Sequence, residues 1–334
     1  MDRKAENLKA HKGRGTLNDA LSRRFNMNEY LPDPEWMEER EEIDGPVTRP
    51  RTTVTEEYPK SILSFNQSPD LPFDRSVNAY RGCEHGCVYC YARPTHAYHD
   101  LSPGLDFETR LFAKPDAAKL LRQTLAKKSY KADVIAIGTN TDPYQPIEDK
   151  YHVTRQVLEL MLETRHPIVI TTKSARILND IDLLEQLAAQ KLTGVAISVT
   201  SLDPKLSRIL EPRASAPENR LRAAKILSDA GIYVHINIAP IIPAINDHEI
   251  EAIAQRVSET GAQSMSWIPV RLPHEVAPIF QEWLDIYFPD RAKKVMHIIR
   301  EIRGGKDNDP NFFGRMRGQG VWAELIRTRM RMQQ

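Results

Sequence analysis

After residue 72 the chain alternates regularly between two kinds of segment, and this alternation limits the possible folds more than any other pattern in the sequence. Short runs rich in β-branched residues are followed by amphipathic stretches, which is typical of βα units around a parallel sheet. Each unit is roughly 30 residues long, which fits right-handed βαβ crossovers better than hairpins. The predicted strands are residues 75–81, 134–138, 168–172, 195–200, 233–238 and 264–270, and the predicted helices between them are residues 116–128, 153–165, 180–190, 217–230 and 247–260.

Six units of this kind make a partial barrel, because a complete barrel of this type has eight. After residue 270 the pattern changes to two helices, at 275–287 and 291–303, and a tail rich in Gly and Arg. Before residue 70 there is no sustained periodicity, and a basic block precedes an acidic one. The sequence therefore predicts an α/β protein in three parts. These are an N-terminal arm (1–70) that is partly extended or disordered, a partial (β/α)6 TIM-like barrel (71–272) and a C-terminal helical extension (273–334).

Composition excludes several broad classes of protein. The 334 residues are 41% hydrophobic and 27% charged, which excludes wholesale disorder and fibrous repeats. Lys and Arg number 46 against 45 Asp and Glu, so the net charge of +1 gives no overall attraction to nucleic acid or anionic membranes. No apolar run approaches the roughly 20 residues that span a bilayer, and the N-terminus lacks a secretory hydrophobic stretch. We therefore expect a cytoplasmic protein that is not embedded in a membrane.

The three cysteines of the chain all lie within eight positions, at Cys83, Cys87 and Cys90. An odd number so closely spaced is a poor disulfide framework and a good candidate for a metal site. Thiolates suit an iron–sulfur cluster or zinc, and the neighbouring glycines let the backbone fold tightly around either. Three ligands would leave one iron of a [4Fe–4S] cubane open to an external ligand. The alternative is a zinc knuckle whose fourth ligand is a nearby histidine: His85, His96 or His99.

The C-x3-C-x2-C spacing, with the aromatic Tyr89 before the last cysteine, resembles the cluster motif of the radical S-adenosylmethionine (SAM) superfamily. The segments CVYCYAR, GTNTDPYQPIE and APIIPAIND resemble the spore photoproduct lyase-like branch, in particular its poorly characterised bacterial members. The likeness covers residues 50–330. It implies a partial barrel whose [4Fe–4S] cluster binds SAM at the open iron. It also implies reductive cleavage of SAM to a 5′-deoxyadenosyl radical that abstracts hydrogen from a substrate, with a reductase, flavodoxin or ferredoxin as electron donor.

The resemblance also implies SAM-binding residues at the carboxyl ends of the predicted strands, where barrel active sites are built. Thr141 and Asp142 stand where relatives use polar residues for the SAM ammonium, although helix capping and turn formation are the alternative. Lys173 stands where the related branch has a SAM-contacting lysine, unless it is an ordinary solvated lysine. Ser198 and Thr200 share one strand face that suits ribose hydroxyls, unless neighbouring backbone satisfies them.

Aromatic, histidine and arginine side chains complete the candidate set. Tyr89 is expected to contact the cofactor, and Tyr89 and Tyr91 are both candidate radical relays. Packing or contact with adenine is the alternative for each. His235 lies on a polar strand face, where substrate contact competes with a hydrogen-bonded core position. Two arginines beyond the fourth strand are candidates for the SAM carboxylate or a substrate phosphate, with surface ion pairing as the alternative: Arg213 and Arg220.

The substrate is left open by the sequence. The enzyme after which the branch is named uses an additional cysteine as a hydrogen donor, and this chain has no cysteine outside the cluster motif. Repair of a thymine dimer by that route is therefore not expected. Radical repair or modification of nucleic acid bases remains a candidate function, and a zinc-stabilised, non-catalytic nucleic-acid-binding module is the alternative from another class. The basic tail, with Trp322, suits a nucleic acid backbone, but a helical pattern at Val321, Leu325 and Ile326 predicts packing onto the barrel.

Overall fold

The computed structural model describes residues 13–16 and 51–333. The basic and acidic blocks predicted for the arm lie outside these residues, apart from Arg14. The rest of the predicted arm, from residue 51, is partly extended, since it contains the first two strands. The strands in chain order are β1 (Thr53–Glu56), β2 (Leu63–Phe65), β3 (Arg75–Val77), β4 (Tyr80–Arg81), β5 (Arg110–Ala113), β6 (Ile135–Ile137), β7 (Ile168–Thr172), β8 (Thr193–Ser198), β9 (Tyr233–Ile241) and β10 (Ser264–Pro269).

Seven of these strands form the main sheet, in the order β10-β9-β8-β7-β6-β3-β2. Every neighbouring pair from β3 to β10 is parallel, and β2 joins antiparallel to β3. Within the described residues, β2 and β10 are the two ends of this sheet, so the barrel is open between them. The predicted partial barrel with six parallel strands is confirmed.

All five predicted barrel helices form, each within about one turn of its predicted bounds. The sequence analysis missed several short helices, among them Pro204–Leu210, which begins where the Asp203 side chain accepts a hydrogen bond from the Lys205 amide at 2.8 Å. No helix of the described part is long and apolar enough to cross a membrane. The α-helices are Leu105–Thr109, Ala117–Leu125, Glu148–Tyr151, Val153–Thr164, Ile181–Ala189, Pro204–Leu210, Pro217–Asp229, Ile250–Ser258, Val276–Tyr287, Pro289–Ile302, Gly314–Arg317 and Gly320–Arg331, and the 3-10 helices are Arg93–His99, Ala175–Asp180 and Asp247–Glu249.

The single strand predicted at 75–81 is wrong, because the chain changes sheets within it. β3 ends at Val77, and the Asn78 side chain then accepts the Asn140 amide at 2.9 Å while its backbone carbonyl accepts Lys114 Nζ at 2.9 Å. The next residues form β4, which belongs to a small second sheet of order β1-β5-β4. The cysteine loop therefore follows β4 of the small sheet and does not directly follow the barrel strand β3.

Two large apolar cores and one small cluster are buried within the described residues. The larger one lies between the main sheet and the helices that connect its strands. The second joins Val88 and Tyr89 of the cysteine loop to the helix Val276–Tyr287, in which Phe280 and Trp283 are almost completely buried. The indole Nε1 of Trp283 donates a hydrogen bond to the Ile209 carbonyl at 3.0 Å. The C-terminal helices thus pack against the loop that carries the cysteines.

The last helix, Gly320–Arg331, packs onto the barrel through a different face from the one predicted. Ile326 is buried as expected, but Val321 is 79% exposed and Leu325 is 53% exposed. The buried positions instead follow a helical spacing from Ala323 through Ile326 to Met330. The helix is also attached by polar contacts, since Trp322 Nε1 donates to Asp247 Oδ2 at 3.2 Å. The prediction that Val321 and Leu325 pack on the barrel is therefore wrong.

Candidate active site

Three free thiols share the loop that follows β4. Cys83 and Cys87 are buried and Cys90 is partly buried. Burial raises the pKa of all three thiols, and the Asp142 carboxylate raises that of Cys83 further. Cys90 packs against the apolar cluster that contains Cys87 and against the one that contains Cys83, so the three side chains are near neighbours. Gly82 has a φ of +72°, and a Cβ there would lie 2.6 Å from the Leu111 side chain. The glycine is therefore required for the entry into the loop.

Each candidate fourth ligand of a zinc knuckle contacts another protein group and keeps one ring nitrogen without a hydrogen-bond partner among the described residues: His85, His96 and His99. His96 Nε2 is bound to the Arg110 carbonyl at 2.8 Å, and its ring packs edge-on against Phe107. His99 packs against Phe112, with ring centroids 5.1 Å apart. Among the residues that the structure describes, no three His, Cys, Asp or Glu side chains come close enough together to hold a single metal ion. Three convergent thiols suit an iron–sulfur cluster, whose ligands bind different iron atoms.

The segment after β6 fastens the backbone of the cysteine loop. Thr141 Oγ1 donates to the Gly82 carbonyl at 2.6 Å. The Gln145 side chain donates to the same carbonyl at 3.2 Å and accepts the Glu84 amide at 2.9 Å. The sequence analysis selected Thr141 and missed Gln145, because a glutamine that bridges two backbone groups leaves no signature in the sequence.

Asp142 links the cysteine loop to the end of β7. Its carboxylate accepts the Lys173 amide and the Thr172 hydroxyl, each at 2.7 Å, and lies 3.3 Å from His85 Nδ1. Burial alone would raise the pKa of Asp142, but His85 and these hydrogen bonds lower it to about 2. The group is therefore a carboxylate at neutral pH. The structure brings Thr141 and Asp142 to the cysteine loop, with both side chains hydrogen-bonded inside the protein.

A second buried network surrounds Tyr89. Its hydroxyl contacts Glu211 and lies 3.3 Å from Thr200 Oγ1, and Thr200 also donates to Glu211 at 2.6 Å. Glu211 forms an ion pair with Arg220, and each of these two residues is only 1% exposed. Burial disfavours the charge on Glu211, yet Arg220 and Lys173 lower its pKa below the ordinary value. Arg220 is therefore occupied by protein groups. The sequence analysis assigned Glu211 no role, because this pairing depends on the fold.

Four more predicted residues fall into three locations. Lys173 Nζ lies 5.9 Å from the Tyr89 ring centroid, and Arg213 Nη1 lies 2.8 Å from Glu84 Oε1, so both are at the cysteine loop. Ser198 is buried at the end of β8, where its carbonyl accepts Arg220 Nη1 at 3.0 Å. His235 is bound at both ring nitrogens by serines of β10, Ser264 at 2.7 Å and Ser266 at 2.8 Å.

Tyr91 lies at the mouth of the barrel. Its side chain is 50% exposed, its hydroxyl donates to the Thr139 carbonyl, and the Arg271 guanidinium lies 5.3 Å from its ring centroid. Tyr91 directly follows Cys90 in the chain, so it is adjacent to the candidate cluster.

Residues 14–16 form a contact that the sequence analysis missed. The Gly15 amide and the Thr16 hydroxyl donate to the two carboxylate oxygens of Glu108, at 3.0 Å and 3.1 Å. A Cβ at Gly15 would lie 1.6 Å from the Gly86 carbonyl oxygen, so only glycine fits against the loop. Glu108 also forms a buried ion pair with Arg93 at 2.6 Å. No periodicity marks the segment, and it lies in the part of the chain predicted to be an arm.

An open barrel of six parallel strands, with three cysteines and no fourth at its mouth, defines the class of enzymes that use an iron–sulfur cluster to start radical chemistry. The family model described as Radical SAM superfamily matches residues 77–257. The chain belongs to the radical SAM superfamily, and the prediction of a radical SAM enzyme is confirmed. Membership implies SAM and an iron–sulfur cluster as cofactors.

Comparison with individual proteins agrees with this family. An uncharacterised protein of Mycobacterium tuberculosis is 33% identical over 242 residues, which are 71% of this chain and 71% of that protein. The radical SAM Nalpha-GlyT isomerase of Pseudomonas phage M6 is 27% identical over 67% of this chain and 45% of its own length. Spore photoproduct lyase complexed with dinucleoside spore photoproduct has a TM-score of 0.53 and 16% identity over 71% of this chain, and the match spans 66% of the lyase, just under two thirds. The similarity to spore photoproduct lyase is a similarity of fold.

Proposed function

We propose that the protein binds a [4Fe–4S] cluster through Cys83, Cys87 and Cys90 and binds SAM at the iron that these thiols leave free. The observation that carries the proposal is the set of three neighbouring, unpaired thiols on one loop, with no fourth cysteine in the chain. When bound, the cluster supplies the electron that cleaves SAM to methionine and a 5′-deoxyadenosyl radical, which takes a hydrogen atom from the substrate. We propose a flavodoxin- or ferredoxin-type protein as electron donor and the cytoplasm as location, since its reducing conditions keep thiols free.

The polar residues around the loop divide into ligand-binding and positioning groups. Lys173 is the candidate for the SAM carboxylate, because its ammonium lies beside Tyr89 and close enough to favour ionisation of Cys87. Thr141, Asp142 and Thr200 make their hydrogen bonds inside the protein, so we assign them the role of holding the loop and the strand ends. Ser198 and Arg213 are candidates for the ribose and for an anionic group of SAM.

Nucleic acid is the substrate class that we propose for this chemistry. In support, the structurally similar lyase has been solved with a dinucleoside photoproduct. The mouth of the barrel also carries arginine and exposed aromatic side chains, a combination that suits phosphate groups and bases.

Anaerobic reconstitution with iron and sulfide tests the cluster and the reaction. We expect four irons and four sulfides per chain, and 5′-deoxyadenosine after addition of SAM and dithionite. Replacing Cys83, Cys87 or Cys90 by Ala should abolish both, whereas the matched surface change Ser258→Ala should alter neither. One zinc per chain with no cleavage of SAM would contradict the proposal, as would a cysteine variant that cleaves SAM at the normal rate.

A further inference from the structure

Arg271 follows β10 and forms no ion pair with a carboxylate among the described residues. Its guanidinium packs on the Tyr91 ring, and its Nη1 lies 3.2 Å from the Met316 sulfur, a weak acceptor. Its Nε is buried and has no hydrogen-bond partner among the described residues. Burial lowers the pKa of Arg271, Tyr91 and Asp70 oppose this shift only in part, and Arg315 adds to it. Buried guanidinium groups usually face carboxylates or several carbonyls, so this position is costly unless something else binds there.

The two neighbouring arginines have more hydrogen-bond partners than Arg271, although the Nε of Arg303 is also without a partner among the described residues. Arg315 binds both oxygens of Asp70, at 2.8 Å and 2.5 Å. Arg303 donates to four backbone carbonyls, those of Pro269, Val270, Gly314 and Arg315, at 2.8–3.2 Å. Asp70 balances the charge of Arg315, and four carbonyls take up the terminal donors of Arg303, so Arg271 is the arginine of this group with the fewest hydrogen-bond partners.

Tyr91 places Arg271 at the mouth of the barrel, next to the cysteine loop. Its hydroxyl is bound to Thr139, just beyond β6, while its ring lies beneath Arg271, just beyond β10. β6 and β10 are separated by three strands in the sheet order, so Tyr91 extends across the mouth of the barrel. Tyr91 is also next to Cys90. An anion bound at Arg271 would therefore lie beside the place where the radical is expected to form.

We propose that Arg271 binds a phosphodiester of the substrate next to the base that reacts, with the ring of Tyr91 available to that base. The proposal rests on the nucleic acid substrate proposed above. A guanidinium offers phosphate a two-pronged set of donors, and a neighbouring aromatic face suits an unpaired base. Two further aromatic side chains are exposed in the segment that carries Met316: Phe312 is 49% exposed and Phe313 is 55% exposed. An aromatic and cationic surface of this kind fits a single strand or an extruded nucleotide.

Binding of a short single-stranded oligothymidylate to the reconstituted enzyme tests the proposal. Fluorescence anisotropy would compare a normal phosphodiester oligonucleotide with one of the same sequence that carries neutral methylphosphonate linkages. We expect the wild-type enzyme to prefer the phosphodiester, and Arg271→Gln to weaken phosphodiester binding about 10- to 100-fold while hardly changing methylphosphonate binding. Arg271→Lys keeps the charge but loses the planar, two-pronged donor set of the guanidinium, so it should bind the phosphodiester with intermediate affinity. This variant also tests the proposal if Arg271→Gln folds poorly.

Arg122→Gln is the matched control, because it removes the same charge from an exposed pair with Glu163 on an outer helix. The proposal is overturned if Arg271→Gln and Arg122→Gln bind the phosphodiester equally well. It is also overturned if the wild-type enzyme binds both oligonucleotides equally or binds neither. Formation of 5′-deoxyadenosine by the wild-type enzyme without nucleic acid is measured in the same samples. A failure to form 5′-deoxyadenosine would overturn the proposed function alone, since the anisotropy measurement of binding at Arg271 does not depend on turnover.

Discussion

Buried charged side chains hold the cysteine loop in place in oppositely charged pairs. Arg93 and Glu108 are completely buried at 2.6 Å from each other, and Arg93 Nε donates to the Cys87 carbonyl at 2.9 Å. Glu211 and Arg220 form the second pair, and Glu211 also accepts the hydroxyl of Tyr89. Removing one member of such a pair leaves the other charged and unpaired in the interior, which costs more than the pair itself contributes.

We expect Arg220→Leu to lower the free energy of unfolding by roughly 3–5 kcal/mol, because Glu211 would remain buried without its partner. The double change Glu211→Leu with Arg220→Leu should restore much of that loss. Urea denaturation of the cluster-free chain measures both. The control is Arg256→Leu, which breaks an exposed pair with Glu218 and should cost less than about 1 kcal/mol. Equal losses for Arg220→Leu and Arg256→Leu would contradict the buried ion pair.

His96 should make stability depend on pH. Burial lowers its pKa from 6.5 to about 4, with hydrogen bonding to Arg110 only partly opposing this shift. Between these two pH values the unfolded chain binds a proton that the folded chain does not, so the folded state loses stability as the pH falls. His96→Gln keeps a donor for the Arg110 carbonyl and removes the titration.

Urea unfolding near neutral pH and near pH 4.5 measures this effect. We expect the wild type to lose roughly 2–3 kcal/mol more than His96→Gln between the two conditions. Other histidines and carboxyl groups titrate in both proteins, so the difference between them isolates His96. Equal pH dependence in the two proteins would show that His96 is protonated in the folded state.

Loops and strand ends bridge the open side of the barrel between β2 and β10, where the described residues form no further strand. Asp70 lies in the loop between β2 and β3, and it accepts hydrogen bonds from Arg315 and from the Phe313 amide at 3.0 Å. Arg303 attaches the other end of the same segment to the carbonyls of Pro269 and Val270, at the end of β10. The segment 303–317 therefore connects the two edges of the main sheet.

Asp70→Asn should loosen this connection without unfolding the barrel. The amide would not replace the paired charged hydrogen bonds to Arg315, so amide hydrogen exchange in residues 309–318 should become faster. Trypsin should also cleave sooner at Arg315 and Arg317, while the urea midpoint changes little. Asp229→Asn, which removes an exposed pair with Lys225 on an outer helix, is the control. Unchanged exchange in the segment would contradict this role for Asp70.

Particular elements show how much could be predicted from the sequence. The loop with three cysteines, the parallel strands and the barrel helices were predictable, because each depends on spacing within one short stretch. The break between β3 and β4 was not, since it depends on Asn78 meeting Asn140 and Lys114 from distant parts of the chain. Glu211 and Arg220, and Gly15 against Gly86, likewise become neighbours only when the fold brings their elements together.

For the protein as a whole, the C-terminal helices and the cysteine loop share one core. Trp283 is 1% exposed and stacks on Phe280, with ring centroids 5.5 Å apart, and the same core contains Val88 and Tyr89. The part predicted as an extension after residue 273 therefore supports the candidate active site directly.

Trp283→Ala should lower the free energy of unfolding by roughly 3–5 kcal/mol, because it opens a cavity in a core that cannot collapse fully. It should also reduce the iron retained after reconstitution and gel filtration, since the cysteine loop loses part of its support. Tyr58→Ala changes an aromatic residue that is 64% exposed and should affect neither quantity. Normal iron content in a destabilised Trp283→Ala protein would show that the loop is held independently of these helices.

Because every thiol of the chain lies in one loop, alkylation of these thiols measures how many molecules have iron bound there. A molecule without iron offers up to three sulfurs to an alkylating reagent, and intact-mass spectrometry counts the adducts one by one. A molecule whose sulfurs are bound to iron offers fewer, so a mixture of loaded and empty molecules separates into discrete mass peaks. Because the chain has no cysteine elsewhere, none of these peaks arises from background labelling.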